Sequence, residues 1–290
     1  MSAIEGQSSR TATAFDRMEW PTAFSAVAYG VRIGVRTNDP ALANDLALHL
    51  PPGATCAAFT ECERVYSLIV DPDDRSGKPP KKALYVDNRL LARRSLIAVV
   101  LRAFEADVQL HVAEMSPDYV FVHAGVVGWR GQGILMPGRS FSGKTTLVAE
   151  LIRAGADYYS DEYAVLDLAG CVHPYARPLA IRDQGGGFSK HPVDTLGGRA
   201  GKDALPVALV VLSEYRSGGV WTPSPLSAGN CVLALLANTV SARRIPEVAM
   251  ATLRQIASRA HAVSSERGEA SQVVQPLFDL ATLGLTRTQE

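Results

Sequence analysis

The sequence lacks both a net charge and any long run of apolar residues. Its 29 Lys and Arg residues equal its 29 Asp and Glu residues, so the formal net charge is zero. This balance argues against bulk nucleic-acid binding and against a polybasic membrane anchor. The first twenty residues are polar, and the longest apolar runs, 96–101 and 207–212, are too short to cross a bilayer. We therefore expect a cytoplasmic protein with no nucleic-acid partner and no membrane partner.

Cysteines are few, and none belongs to a C-x-x-C pair. The four are Cys56, Cys62, Cys171 and Cys231. This spacing, together with the expected compartment, predicts four reduced and mostly buried thiols. The chain also shows no internal repeat, which excludes a solenoid or propeller built from repeated units.

The pattern of apolar residues predicts an α/β protein. The first half contains predicted strands at 29–38, 64–72 and 83–88. A helix is predicted to begin after Asp39 as N-cap and Pro40 and to run to about residue 50, and a longer one to cover about 89–114. We assign residues 1–20 to a disordered leader, 21–117 to an N-terminal α/β region, and 118–290 to a nucleotide-binding domain.

The second half opens with two predicted strands, 119–129 and 132–138, joined by a turn at Arg130-Gly131. The other predicted elements follow in chain order: a helix at 144–156, strands at 158–168 and 171–176, a Pro- and Gly-rich segment at 182–203, a buried strand at 204–215, and helices at 229–242 and 246–262.

The segment GRSFSGKT, residues 138–145, fits the phosphate-loop pattern G-x-x-x-x-G-K-[ST] in full. Glycines let the backbone curl so that successive amides point at phosphate oxygens, and the following helix adds its positive N-terminal end. Lys144 would reach the β- and γ-phosphates, and the Thr145 hydroxyl would ligate Mg²⁺. The pattern predicts ATP and Mg²⁺ as cofactors. The predicted nucleotide-binding residues are Gly138, Arg139, Ser140, Phe141, Ser142, Gly143, Lys144, Thr145 and Thr146.

Phosphoryl transfer also needs an acid, and the sequence offers two candidates. Asp161-Glu162 lies in the predicted strand directly after the loop helix, where acidic residues are uncommon. Because adjacent strand residues face opposite ways, we expect one acid to face the γ-phosphate and the other to lie at the edge or on the metal. Glu214 ends the buried strand at 204–215, where an ATPase carries its acid. Either site is also compatible with a solvated strand end.

Several further residues have both a structural and a functional interpretation. His123 lies within a predicted strand, where it is either a core residue or a member of the site. Arg177, Arg182, Lys190 and Arg199 are either solvated charges or parts of a mobile basic loop that closes on ATP.

The segment VHAGVVGWRGQGILMPGRSFSGKTTLVAELIRAGADYYSDEYAVL, residues 122–166, resembles the catalytic domain of HPr kinase/phosphorylase. That family has a histidine-glycine step, a strand pair, the phosphate loop, its helix, and then a strand with two neighbouring acids. The ATP-dependent phosphoenolpyruvate carboxykinases share this variant of the P-loop fold. The resemblance covers about 60 residues well and the tail only loosely.

The resemblance implies roles for individual residues. Asp161 matches the general base that takes the proton from a serine hydroxyl, and Glu162 matches the second acid, a metal or positioning group that is usually Asp. His123 matches a histidine close to the active site. Arg182 would stand in for a signature arginine, but the signature glutamate is replaced by Ala180. This departure puts the second metal contact and the reverse, phosphorolytic reaction in doubt.

Three functions follow as hypotheses. The first is a kinase that phosphorylates a hydroxyl, a serine by resemblance, on a small protein or peptide; the family also suggests a homo-oligomer. The N-terminal half does not match the family's regulatory domain, so the chain looks closer to HPr-kinase-related small kinases. The second is an ATP-binding regulatory or assembly module with slow hydrolysis, in which Glu214 is the active acid. The third is a kinase of a small-molecule hydroxyl.

Overall fold

The structure, a computed structural model, describes residue 15 and residues 18–71, 79–138, 142–182 and 187–287. The chain divides into two compact units, Met1–Gln109 and Leu110–Glu290. Both contain helices and strands, so the α/β class is as predicted. The predicted boundary, residue 117, lies eight residues after the observed one and just beyond the end of the helix that contains the observed boundary. The predicted disordered leader lies mostly outside the described residues.

The first unit is built on one six-stranded sheet. Its order is β3-β1-β2-β4-β5-β6, and β2 and β4 run parallel. The strands are β1 (Thr22–Ala28), β2 (Val31–Thr37), β3 (Thr55–Ala58), β4 (Arg64–Val70), β5 (Lys82–Val86) and β6 (Arg89–Arg94). Asp39 accepts a hydrogen bond from the Ala41 amide and caps a 3-10 turn that leads into α1 (Ala43–Leu48), which confirms the predicted cap.

The long predicted helix begins later than expected. Residues 89–94 form β6, paired antiparallel with β5, and the helix α2 is Ile97–Met115. The cause is the turn at Asp87-Asn88, where both residues have positive φ, 45° and 71°. Such a two-residue turn matches the twist of a β-hairpin and directs the chain back along β5. The prediction of helix at 89–94 was wrong because that turn was overlooked.

The second unit is built around an eight-stranded sheet of order β11-β10-β7-β8-β14-β16-β15, with β9 also paired to β7. Its strands are β7 (Tyr119–Trp129), β8 (Gln132–Pro137), β9 (Asp157–Ser160), β10 (Tyr163–Asp167), β11 (Cys171–His173), β14 (Leu205–Tyr215), β15 (Ser224–Pro225) and β16 (His261–Arg267). A separate hairpin joins β12 (Leu179–Arg182) to β13 (Phe188–His191). The central strands β8, β14 and β16 are parallel, so their carboxyl ends meet at one edge.

Helices cover this sheet on both faces. They are α3 (Lys144–Arg153), α4 (Ala228–Leu236), α5 (Pro246–Arg259) and α6 (Val274–Arg287). Residues of α3 and α6 pack in one apolar cluster, and residues of α4 and α5 pack in another. Strand β14 contributes to both, with Val210 in one cluster and Leu209 and Val211 in the other. A strand buried on both faces reads as a continuous apolar run, which is why β14 was predicted correctly.

Several segments of the second unit differ from the sequence prediction. The hairpin of β12 and β13 lies partly in the segment that we expected to be irregular, and β16 and α6 were not predicted. The predicted strand 158–168 is two strands, interrupted at Asp161-Glu162. Strand β16 was missed because five of the seven residues in its sequence, HAVSSER, are polar and it directly follows the helical pattern of α5.

The cysteines agree with the prediction in pairing but not in burial. All four are free, as expected. Only Cys231 is buried, whereas Cys56 is exposed and Cys62 and Cys171 are intermediate, so the prediction of mostly buried thiols was wrong. No helix within the described ranges is long and apolar enough to cross a membrane.

Candidate functional site

The phosphate-loop sequence lies between β8 and α3, in the strand–loop–helix arrangement that the pattern requires. Gly143 has φ +84° and precedes the first helical residue, Lys144. Only glycine adopts this left-handed conformation at little cost. Gly138 begins the loop, and a Cβ there would lie 3.0 Å from the Ser142 Oγ. The predicted binding residues Arg139, Ser140 and Phe141 lie outside the described residues.

The lysine of the loop folds back across it. The Lys144 Nζ donates a hydrogen bond of 2.7 Å to the Gly138 carbonyl, which joins the last and first parts of the loop. Burial lowers the pKa of Lys144, and the negative charges of Glu162 and Asp161 oppose that shift. The ammonium group is therefore close to both acids of the Asp161-Glu162 pair.

Asp161 is held by two hydroxyl groups. The Thr145 Oγ1 donates to its Oδ2 at 3.1 Å, and the Tyr158 Oη donates to its Oδ1 at 2.9 Å. Burial, and then the negative charge of Asp161, raises the pKa of Tyr158, so the phenol keeps its proton and remains a donor. Both carboxylate oxygens of Asp161 thus have a defined direction, one toward the loop helix and one toward β9.

The two acids lie at a bend between β9 and β10, and both line the same cavity. The expectation that they face opposite sides of a continuous strand was therefore wrong. The reason is local, because the Ser160 Oγ accepts hydrogen bonds from the amides of Glu162 and Tyr163. These bonds replace the regular ladder and turn the backbone at this point.

His123 lies in β7 opposite Tyr163, directly beside this bend. Its Nδ1 is 3.8 Å from the Glu162 Oε1, and its side chain is 36% exposed. Burial lowers the pKa of His123, an effect that Glu162 opposes and Lys144 reinforces. The imidazole is thus part of the site and uncharged at neutral pH. Of the two interpretations from sequence, the structure favours a side chain that faces the site over one in the core.

A cavity of about 320 Å³ collects these groups. Lys144, Thr145 and Thr146 line it from α3, and the hairpin of β12 and β13 contributes Ile181 and Phe188 from another side. Arg182 ends β12, but its side chain is outside the described part of the chain.

The other basic residues that the sequence proposed are distributed differently. Arg199 is paired with Asp157, and its side chain is 83% exposed. The charge of Arg177 acts on both Tyr158 and Tyr163, and Tyr158 is one of the two residues that donate to Asp161. Lys190 is exposed on β13 and pairs in register with Ala180.

Glu214, the rival acid, lies on the opposite side of the loop. It lines a second cavity of about 660 Å³ at the carboxyl ends of β14 and β16, which Gly138 and Ser142 also border. Lys144, Thr145 and Asp161 line the smaller cavity instead. Glu214 and the lysine and threonine of the phosphate loop thus line different cavities.

Arg267 is a site residue that the sequence analysis missed. It ends β16, is only 2% exposed, and donates from Nη2 to the Gly143 carbonyl at 2.9 Å. The two residues are 124 positions apart in the chain, so no local pattern could have linked them.

Comparison of the sequence with protein-family models and with curated proteins gives no match in either case.

Proposed function

We propose that this chain is an Mg-ATP-dependent kinase of the HPr-kinase type that transfers the γ-phosphoryl group to a serine hydroxyl on a small protein or peptide. The observation that carries the proposal is the hydrogen bond between the Thr145 hydroxyl and Asp161, next to Lys144. A hydroxyl that could bind the metal, a lysine that could bind phosphate and a nearby carboxylate are the parts that phosphoryl transfer needs.

The nucleotide would be held by the phosphate loop. The amides at the start of α3 and the positive end of that helix attract phosphate oxygens. The Lys144 ammonium, now bonded to the Gly138 carbonyl, is within reach of the same region and would exchange this neutral partner for phosphate oxygens. Lys144 is close to Asp161 and Glu162, so a terminal phosphate bound to this lysine would lie near both acids.

The donors around Thr145 suit magnesium. The Thr145 hydroxyl and the Glu162 carboxylate are hard oxygen donors, which Mg²⁺ prefers. No group of three or more His, Cys, Asp and Glu residues within the described part of the chain could hold a metal ion by itself. This is compatible with magnesium, which usually takes only one or two carboxylates and completes its shell with phosphates and water. When bound, the ion would neutralise charge on the phosphates.

Asp161 would act as the general base. Tyr158 fixes its Oδ1, so the Oδ2, on the side of Thr145, is the oxygen that would accept the proton of the acceptor hydroxyl. Uncharged His123 lies beside Glu162 without adding a competing positive charge to the site. Glu162 would complete the binding of the metal or position the substrate.

The test is phosphotransfer from γ-labelled ATP into proteins and peptides encoded beside this gene. Wild-type protein is compared with Asp161→Asn and with the matched variant Glu214→Gln, which removes the same charge on the other side of the loop. Label on an acceptor serine that is lost in Asp161→Asn and kept in Glu214→Gln supports the proposal. Free phosphate without a labelled acceptor, lost in Glu214→Gln, would instead identify a regulatory ATPase. Turnover with a metabolite panel and no protein acceptor would identify a small-molecule kinase.

A further inference from the structure

Arg267 is the largest wholly buried side chain of the described residues, and it contacts the phosphate loop from the end of β16. Its Nη2 donates to the Gly143 carbonyl at 2.9 Å, and its Nη1 donates to the Gly268 carbonyl at 3.1 Å. The guanidinium carbon lies 5.6 Å from the ring centroid of Tyr215. The side chain is thus held between two carbonyls and an aromatic face.

The charge of Arg267 has no carboxylate partner in the part of the chain that the structure describes. Its Nε is buried and has no hydrogen-bond partner among those residues. Glu269 is the acid that acts on it through charge, but the Glu269 carboxylate accepts a hydrogen bond from the Tyr215 hydroxyl instead. Burial lowers the pKa of Arg267, which reflects the cost of keeping a positive charge out of water. A buried charge is stable only when an opposite charge or a full set of hydrogen bonds compensates it.

The contact with Gly143 depends on glycine. A Cβ at that position would lie 2.6 Å from the Arg267 Nη2, so a larger residue would push the guanidinium away. Gly143 is also the residue whose left-handed backbone directs the chain into α3. The guanidinium therefore holds the carbonyl of the residue that leads directly into the first turn of α3.

We infer that Arg267 is a positioning residue for the bound polyphosphate. It holds the Gly143 carbonyl so that the amides at the start of α3 face the phosphates, and the phosphates supply the negative charge that the buried guanidinium lacks. The inference rests on the proposed function for the identity of the ligand, a nucleoside polyphosphate.

The test measures binding of Mg-ADP and of pyrophosphate by calorimetry, together with the melting temperature with and without each ligand. Arg267→Met removes the charge and keeps the length of the side chain, and Arg267→Lys keeps the charge without the planar fork. Arg216→Met is the matched control, because Arg216 follows β14 at the same edge but is 69% exposed and paired with Glu266. We expect Arg267→Met to weaken Mg-ADP binding about ten- to a hundredfold, Arg267→Lys to restore part of it, and Arg216→Met to change it less than about twofold.

A purely structural role gives a different result. It lowers the melting temperature of Arg267→Met equally with and without ligand and leaves the Mg-ADP affinity of the folded protein unchanged, which would overturn the inference. If Arg267→Met does not fold, Arg267→Lys decides in the same way, and failure of both to fold would also overturn it. Binding that depends on Arg267 in a protein that transfers no label supports the inference while the kinase proposal fails. No binding of either ligand by the wild type overturns both.

Discussion

The charged groups on the two sides of the phosphate loop differ in their exposure to solvent. Toward β7 and β10, the ionisable groups are accessible: the side chain of His123 is 36% exposed, and that of Glu162 is 47% exposed. Toward β14 and β16, Arg267 contacts the loop at Gly143 and is only 2% exposed. Groups that exchange protons or bind a metal need access to substrate and solvent, whereas a group that shapes the loop needs rigid packing.

The acids on the two sides of the loop also differ in their surroundings. Asp161 is oriented by two hydroxyl donors and faces Lys144, while Glu214 is exposed at the end of β14 and borders the other cavity. The difference shows that two carboxylates near one phosphate loop can have quite different surroundings, and the proposed function assigns them different roles. The following variants test that difference, beginning with the largest expected effect.

Under the proposed function, Lys144→Met is expected to lower phosphotransfer by about a thousandfold or more, because it removes the cation that would face the terminal phosphate. The measurement is initial rate of label transfer from ATP. Lys202→Met, an exposed lysine outside both cavities, is the control and should retain the wild-type rate. Retention of more than a tenth of the wild-type rate by a folded Lys144→Met would contradict the assignment.

Asp161→Asn is expected to lower kcat by about a hundred- to a thousandfold, since a general base typically contributes this much. The affinity of this variant for Mg-ATP should change by less than about threefold, because Asn has the same shape as Asp and can still form hydrogen bonds. Glu214→Gln should leave both quantities within about twofold, because exposed acids contribute little. A large loss in Glu214→Gln and none in Asp161→Asn would reverse the comparison between the two sides.

Gly125→Ala is expected to reduce the free energy of unfolding by about 1–3 kcal/mol through overpacking. Gly125 lies in β7 where α3 packs against it, and a Cβ there would meet the Val148 Cγ2 at 2.7 Å. Gly229→Ala in α4 is the matched control, because its Cβ would meet nothing closer than 4.0 Å. Denaturant unfolding of both variants measures the effect. If Gly125→Ala were as stable as Gly229→Ala, α3 would not be closely packed on this strand.

Tyr158→Phe is expected to lower kcat by about tenfold or less, the effect of losing one hydrogen bond to Asp161. Tyr159→Phe is a control from the next position in the chain. Its hydroxyl donates to the Asp203 carbonyl and not to an acid of the site, so kcat should stay near wild type. The same loss of kcat in both variants would mean that the tyrosines act through packing and not through Asp161.

Part of the fold was accessible from the sequence. Strands β7, β8 and β14 and helix α3 were predicted close to their observed bounds, because local periodicity and turn residues specify them. Strands β6 and β16 were not. The turn at Asp87-Asn88 that precedes β6 was overlooked, and a mostly polar strand such as β16 depends on the neighbours it pairs with. The interruption at Asp161-Glu162 depends on Ser160 hydrogen bonds that no periodicity reveals.

By itself, the sequence determined the phosphate-loop pattern and the helix that follows it. Glycine at position 143 and a helix beginning at Lys144 are local requirements of the backbone, and neighbouring residues satisfy them. Only the tertiary structure decided that Asp161 and not Glu214 contacts Thr145, and that Arg267 supports the loop from behind. The physical reason is that these contacts join residues 16 and 124 positions apart, and strand order in the sheet, not local sequence, brings them together.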